Sequence, residues 1–447
     1  MNLLWKKVLQ PVCAGWHKLL CGIPAVILLL LSVGCAQKEA PITELYFLNW
    51  GYEDTRYTSL YSAVQKFNQS HPDRPYALSV EKYQDNDWNE YLELCGQRHR
   101  EGKLDLFSTA PEFIGIFAEQ DVILPLDDLL SKELFQQEYF PTVWSSMAYN
   151  GHYWGIAMDT DVQIVFVNRA ALRAAGYSEK EIQELPDRTA SGHFLMQELL
   201  EVARIGVHRA DCRFGILHRP KKGQFFYMVA QAFGAFTSDK DGTVSFHEEQ
   251  YAEMLSFYQS IVNEGLLPEN VTSMSWPEIN QAFSAGQTAV YFGACYSLYD
   301  SMIECNAITD DILNQYVPLL FPAVRDIGRP LTISHPIVYA VDSNTKYRND
   351  IMEILTIAFS DSHNFATHCV STYHLPVTVS ALESPVFQNN GFLMDNMYML
   401  DYAVFLPTAP DTWEQMEILF QDVIIAEQTN QLPEDIARSS SYWFSGR

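Results

Sequence analysis

Between Leu45 and Phe113 the chain repeats one alternation, and that alternation limits the fold more than any other feature. The apolar run in "LYFLNWGYED" ends in a glycine turn, and "TSLYSAVQKFNQSHPDRP" then sets Leu60, Ala63, Val64 and Phe67 at helical spacing before a proline stop. "YALSVEKY" reads as a second strand, "DWNEYLELCGQRHREG" as a second helix, and "KLDLFSTAPEF" as a third strand whose exit carries Asp105, Ser108 and Thr109. Strand, helix, strand, helix, strand predicts an α/β fold with a mainly parallel sheet covered by helices. Small-molecule sites in such sheets lie at the carboxyl ends of the strands, where Trp50, Tyr52, Ser108 and Thr109 fall.

A chain of 447 residues exceeds what one hydrophobic core usually serves, so two domains are expected. Acidic residues outnumber Lys and Arg by 55 to 29, a balance that repels nucleic-acid phosphates and anionic headgroups, and nucleic acid is excluded as a partner. The first 35 residues differ from the rest. They hold no Asp or Glu, carry Lys6, Lys7 and Lys18, and run through "IPAVILLLLSVGC" to Cys35. That is the make-up of an export signal. It resembles a bacterial lipoprotein signal, which implies lipidation of Cys35 and a membrane anchor, although Ser32 stands where such signals usually carry leucine. A plain signal or an uncleaved anchor reads the same residues, and every version puts the remaining chain outside the membrane. Without Cys35 and the two cysteines of the signal, Cys13 and Cys21, five remain (Cys95, Cys212, Cys295, Cys305 and Cys369), which show no CxxC spacing, and an odd number cannot all pair internally. Cys295 and Cys305 could bridge, but buried, unpaired thiols are the commoner fate.

The stretch "NGHYWGIAMDTDVQIVFVNRAALRAAG" interrupts the alternation with an Asn150-Gly151 turn and a long extended run from Tyr153 to Asn168. Such a run can leave one domain at Ala157 and enter another by Val162. Asp159 and Asp161 sit in its middle without a neighbouring base, and an unpaired buried carboxylate costs several kcal/mol, so both are expected to face water or a ligand. Helices are expected at 169–176, 193–206, 224–235 and 248–264. His363 and His368 in "HNFATHC" are five apart, a poor spacing for one helical face, so neither a metal site nor a cofactor is expected.

The same stretch resembles the most recognisable segment of the family 1 extracellular solute-binding proteins, the capture components of sugar-type ABC importers. Here Ala157 replaces the family's usual proline and "FVNRAAL" stands for its Tyr-Asn-Lys segment. "AFSAGQTAVYFGACYSLYD" and "SHPIVYAVDSNTKYRNDIMEILTIAFSD" resemble later family segments, with Ser334-His335-Pro336 in place of the usual glycine pair. The resemblance implies a two-lobed periplasmic-binding-protein-like fold of the class II type, each lobe a mainly parallel sheet, joined by hinge crossings. The divisions expected are a signal over 1–35, a tether over 36–43, one lobe from 44–157 and 318–370, a second from 158–317, and a helical segment over 371–447 packing across both. It further implies a monomer that captures a small polar solute, a sugar first, and delivers it to a membrane ABC permease. The residues expected to line the cleft are Trp50, Tyr52, Ser108, Thr109, Trp154, Asp159, Asp161, Phe226, Tyr296 and His335. Carboxylates suit polyols because charge-assisted hydrogen bonds are about twice as strong as neutral ones. Asp161→Ala is accordingly expected to weaken binding while leaving the empty protein's stability nearly unchanged. A polyamine solute is an alternative, and so is a thiaminase-like enzyme on the same scaffold with Cys295 as nucleophile, but no Gly-x-Ser-x-Gly, His-Glu-x-x-His or P-loop pattern occurs.

Overall fold

The computed structural model describes residues 40–51, 53–84, 87–238, 244–326 and 328–444. The segment expected to be a signal, with Cys35, and also Tyr52 lie outside the described residues. Two mixed sheets, each flanked by helices, organise the chain. The first has the strand order Tyr76–Tyr83, Thr43–Trp50, Leu106–Thr109, Val338–Val341, Ile156–Ala157. Its first three strands are parallel, as the alternation predicts, and the last two run antiparallel to their neighbours. The expected face of the helix Thr58–Ser70 is buried: Leu60, Ala63, Val64 and Phe67 all pack inward, each large side chain contributing roughly 1.5–3 kcal/mol.

The second sheet has the order Ala403–Phe405, Thr332–His335, Asp161–Asn168, Thr288–Ala294, Phe214–His218, with Tyr316–Leu319 also pairing to Asp161–Asn168. It is less parallel than expected. Asp161–Asn168 runs antiparallel to the three strands it touches, because the chain reaches it directly from the first sheet without an intervening crossover helix. The switch of sheets falls between Ala157 and Asp161. The return falls between His335 and Val338, later than the boundary at 318 expected from sequence, since Tyr316–Leu319 and Thr332–His335 still pair in the second sheet.

Local chemistry places the elements that matter for the site. Asn150 and Gly151 take positive φ values of 50° and 77°, which the tight turn between Ala148–Tyr149 and His152–Tyr153 requires. Asp87 caps the helix Trp88–Glu101 by accepting from the Asn89 and Glu90 amides, and Gly102 ends it at φ 64°. Ser275 and Glu278 form a capping box on the helix Trp276–Ser284, with Pro277 in its first turn. Both caps fix a tryptophan as the first helical residue.

Beyond residue 371 the chain packs on both halves. The helix Thr412–Gln428 touches Pro111–Glu119 on one side and Gln224–Phe233 and Glu248–Asn263 on the other. Trp413 lies against Phe113, donates to Asn89 Oδ1 at 2.8 Å, and carries Lys222 over its ring at 3.5 Å. Gly115 allows the close approach, its amide donating to the Thr408 carbonyl at 3.0 Å. A Cβ there would stand 2.3 Å from that oxygen. Gly115→Val is therefore expected to destabilise the protein by roughly 1–3 kcal/mol through overpacking, read from the midpoint of urea unfolding.

Candidate functional site

The short segments that join the sheets are tied to one another. Met158 donates its amide to the Ile337 carbonyl at 3.0 Å, linking the outgoing and returning crossings, and Thr160 and Leu375 exchange amide-to-carbonyl bonds of 2.9 and 2.8 Å. Asp159 sits at the centre. Its Oδ2 accepts from Arg56 at 2.9 Å and lies 2.6 Å from His368 Nε2, while its Oδ1 accepts from the Ile337 amide at 3.3 Å. The expectation that Asp159 faces water is thus corrected: it is 0% exposed, and the base that makes burial tolerable comes from 103 residues upstream. Burial alone would raise its pKa, but Arg56, with His374 and His368, holds it well below the usual carboxylate range. Asp159, His368 and His374 place ligand-type atoms within 4.8 Å of one another. The Arg56 guanidinium already occupies that carboxylate, so a metal cation there would meet a fixed positive charge.

Beside this knot, between the sheets, lies a cavity of about 210 Å³. The first-sheet side supplies Trp50, Gly51, Glu53, Tyr83, Gln84, Trp88 and Ile337, and the second-sheet side Asp161, Arg219, Gln224, Trp276, Tyr296, Asp300, Glu304 and His335, with His374 also at the wall. Trp50 and Trp88 stack in parallel, centroids 3.5 Å apart and planes 11° from coincidence. Trp50 is positioned by its amide, which donates to Ser108 Oγ at 2.7 Å, and by Tyr83, its cross-strand partner. Opposite, Arg219 lies over Trp276 at 5.5 Å and donates to the Lys221 carbonyl at 2.8 Å and to Gln224 Oε1 at 2.9 Å. Tyr296 stacks on His374 at 6.0 Å.

Asp161 borders this cavity and is only 5% exposed. Its Oδ2 has a long contact of 3.4 Å from Gln224 Nε2, with His335 Nδ1 at 4.0 Å, and its Oδ1 has no hydrogen-bond partner. Burial pushes its pKa up to about 7, although His335 pulls the other way. His335 faces Glu112 with its second nitrogen, at 3.0 and 3.2 Å from the two carboxylate oxygens. Burial would favour neutral imidazole, but the Glu112 charge and hydrogen bond outweigh it and raise the His335 pKa. That contact joins the end of a second-sheet strand to the helix Pro111–Glu119, which packs on the first sheet's side.

Of the residues singled out from sequence, the structure brings Trp50, Asp161, Tyr296 and His335 to the cavity wall. Ser108 and Thr109 are buried behind it, Ser108 holding the Trp50 backbone. Trp154 is spent on the hairpin, its Nε1 donating to the Tyr149 carbonyl at 2.9 Å. Phe226 is core, packed against Phe420 and Tyr258. Sequence reading missed Trp88, Trp276, Glu53, Arg219, Asp300 and Glu304. For Trp276 a signal was present: the Ser275-Trp-Pro-Glu278 capping box announces a helix start.

Two mixed sheets tied by crossings, with a ring-lined and acid-lined cavity between them, define a capture protein of the bilobal binding class. The chain belongs to the family described as bacterial extracellular solute-binding protein, whose model matches residues 51–360. It is by that membership a transport component and not an enzyme. A maltotriose-binding protein of Pyrococcus abyssi is 27% identical over 311 residues, 68% of this chain and 62% of that one. The GacH receptor of Streptomyces glaucescens, solved unliganded and with acarbose, superposes with a TM-score of 0.72 at 14% identity, covering 90% of this chain and 99% of that one. Maltose-bound MalE3 of T. maritima gives a TM-score of 0.70 at 15% identity, over 90% and 100% of the two chains. Among the described residues no helix is long and apolar enough to cross a membrane.

Proposed function

We propose that this protein captures a sugar or short oligosaccharide in the cavity between its sheets and delivers it, as a monomer held to the membrane by lipidated Cys35, to an ABC permease. The observation that carries the reading is the lining itself: three indoles, Trp50, Trp88 and Trp276, share the wall with carboxylates and amides. Sugar rings have apolar C–H faces that pack on such rings, and hydroxyl edges that donate to carboxylates. The maltotriose-binding relative and the maltose-bound structural neighbour support the same ligand class. The segments 158–160 and 336–337 serve as the hinge, and closure brings Trp88 and Trp276 onto the solute from opposite sides.

A thiaminase-like reading is not supported. Cys295 is buried, accepts from the Val162 amide at 3.4 Å, and its thiol pKa is raised by burial and by the nearby Asp161, which is the opposite of an activated nucleophile.

The test is a titration of the purified protein with maltotriose and a panel of other saccharides, followed by tryptophan fluorescence and melting temperature. A saccharide that binds is expected to raise the melting point by mass action. Trp88→Ala and Trp276→Ala are expected to weaken that saccharide about tenfold or more, equivalent to about 1.4 kcal/mol. If no saccharide in the panel moves either signal, the reading is wrong.

A further inference from the structure

We propose that the solute is positively charged, an amine-bearing sugar whose ammonium seats against Asp161. This rests on the saccharide reading above and adds the charge to it. The starting point is the Oδ1 atom of Asp161, which is buried at the cavity wall without a hydrogen-bond donor, while Oδ2 has only the long contact from Gln224. A buried acceptor left unmade costs about 1–3 kcal/mol, and more when it is charged. An entering donor recovers that cost, and an ammonium recovers more of it than a hydroxyl because its hydrogen bonds are charge-assisted.

The protein's own cations do not serve this carboxylate. Arg56 is 1% exposed and committed to Asp159. Arg219 is bound to the Lys221 carbonyl and to Gln224. His335 is 4.0 Å from Asp161 but makes its close contacts with Glu112. Glu53, Asp300 and Glu304 add negative charge along the same cavity, and Glu53 Oε2 is a second buried carboxylate oxygen without a donor. Acids therefore outnumber cations around the cavity, and a cleft walled by low-dielectric rings focuses their field on whatever enters.

The groups facing Asp161 from the elements packed on it are His335, Arg219, Glu112 and Asp159, together with the Tyr296 hydroxyl and the Cys295 thiol. With these alone its pKa stands at about 7, so a bound ammonium lowers it and drives off a proton.

Calorimetry at mildly acidic pH, where the sugar amines are fully protonated and Asp161 still largely holds its proton, with three probes, the glucosamine trimer, the N-acetylglucosamine trimer and maltotriose, tests this. Acetylation removes the charge and keeps the ring. The glucosamine trimer is expected to bind at least about tenfold more tightly than either neutral trimer. Repeating its titration in buffers of different ionisation heat is expected to show proton release, a readout that needs no variant. Asp161→Asn is expected to bring the affinity ratio of amine to acetamide close to one. Neutral trimers binding as well as or better than the amine overturns the charge assignment and leaves the saccharide reading standing. Amine preference without proton release, or preference retained in Asp161→Asn, overturns the seat at Asp161. Binding of none of the three overturns this inference, and the saccharide reading falls with it only if the wider panel above is also silent.

Discussion

Asp159→Ala is expected to lower the stability of the empty protein by about 3–5 kcal/mol, the cost of leaving a buried guanidinium without its counter-ion. Arg56 is 1% exposed, its other carboxylate contact is Glu53 at 3.5 Å, and its Nε has no partner, so the loss of Asp159 is not made good nearby. The same substitution frees His368 Nε2 and removes the acceptor of the Ile337 amide, which leaves the Met158-to-Ile337 backbone bond to join the two crossings. Guanidinium denaturation at neutral pH reads the loss directly. The coupling is checked by a cycle: Arg56→Met with Asp159→Asn is expected to cost clearly less than the two single changes added together, because the double variant buries no lone charge. A loss from Asp159→Ala below about 1 kcal/mol would mean that the knot does not hold the crossings. Because the folded-state pKa of Asp159 is depressed, its contribution is present above the ordinary carboxylate value and is lost as pH falls through the folded one.

The knot also shows where sequence reading reaches its limit. The premise about Asp159 was physically sound, since an unpaired buried carboxylate is costly, but it looked for the base among chain neighbours. The base stands at Arg56 and the second partner at His368, both brought in by the fold. The first sheet, by contrast, was legible because its signals are local. Apolar runs, helical spacing and the Asp87 and Gly102 ends of the helix Trp88–Glu101 each act within a few residues. The switch of sheets after Ala157 was legible for the same reason, as one long extended run with polar residues in its middle. Its antiparallel consequence was not, because strand direction depends on which distant strand becomes the neighbour. The cavity divides likewise. Trp50, Asp161, Tyr296 and His335 lie at or beside strand ends that could be placed, whereas Trp88 and Trp276 owe their position to helix starts that face each other only after the sheets pack.

Asp161→Asn is expected to stabilise the empty protein on the alkaline side of its titration by roughly 2–4 kcal/mol, while removing the solute's charge partner. It departs from the expectation that Asp161 could be changed with the empty protein's stability nearly unaltered, which assumed an exposed carboxylate, whereas Asp161 is 5% exposed. A carboxyl group whose folded-state pKa is about 7, against an ordinary value of 3.8, favours folding when protonated and opposes it when ionised. Wild type and variant should therefore match below the ordinary value, diverge as pH rises through the window between the two, and differ fully above the folded one. His335 contributes in the same direction. Its raised pKa means that the attraction to Glu112 is present below the ordinary imidazole value and is lost as pH climbs through the folded one. That part persists in Asp161→Asn and is removed by Glu112→Gln, so unfolding curves for the two single variants across the pH range separate the terms. If Asp161→Asn is less stable than wild type at alkaline pH, the carboxylate has a donor when the cleft is empty, and the cost of burying it unpaired is absent. If it is more stable and binds solute poorly, stability has been given up at this position to keep a charge waiting for its guest.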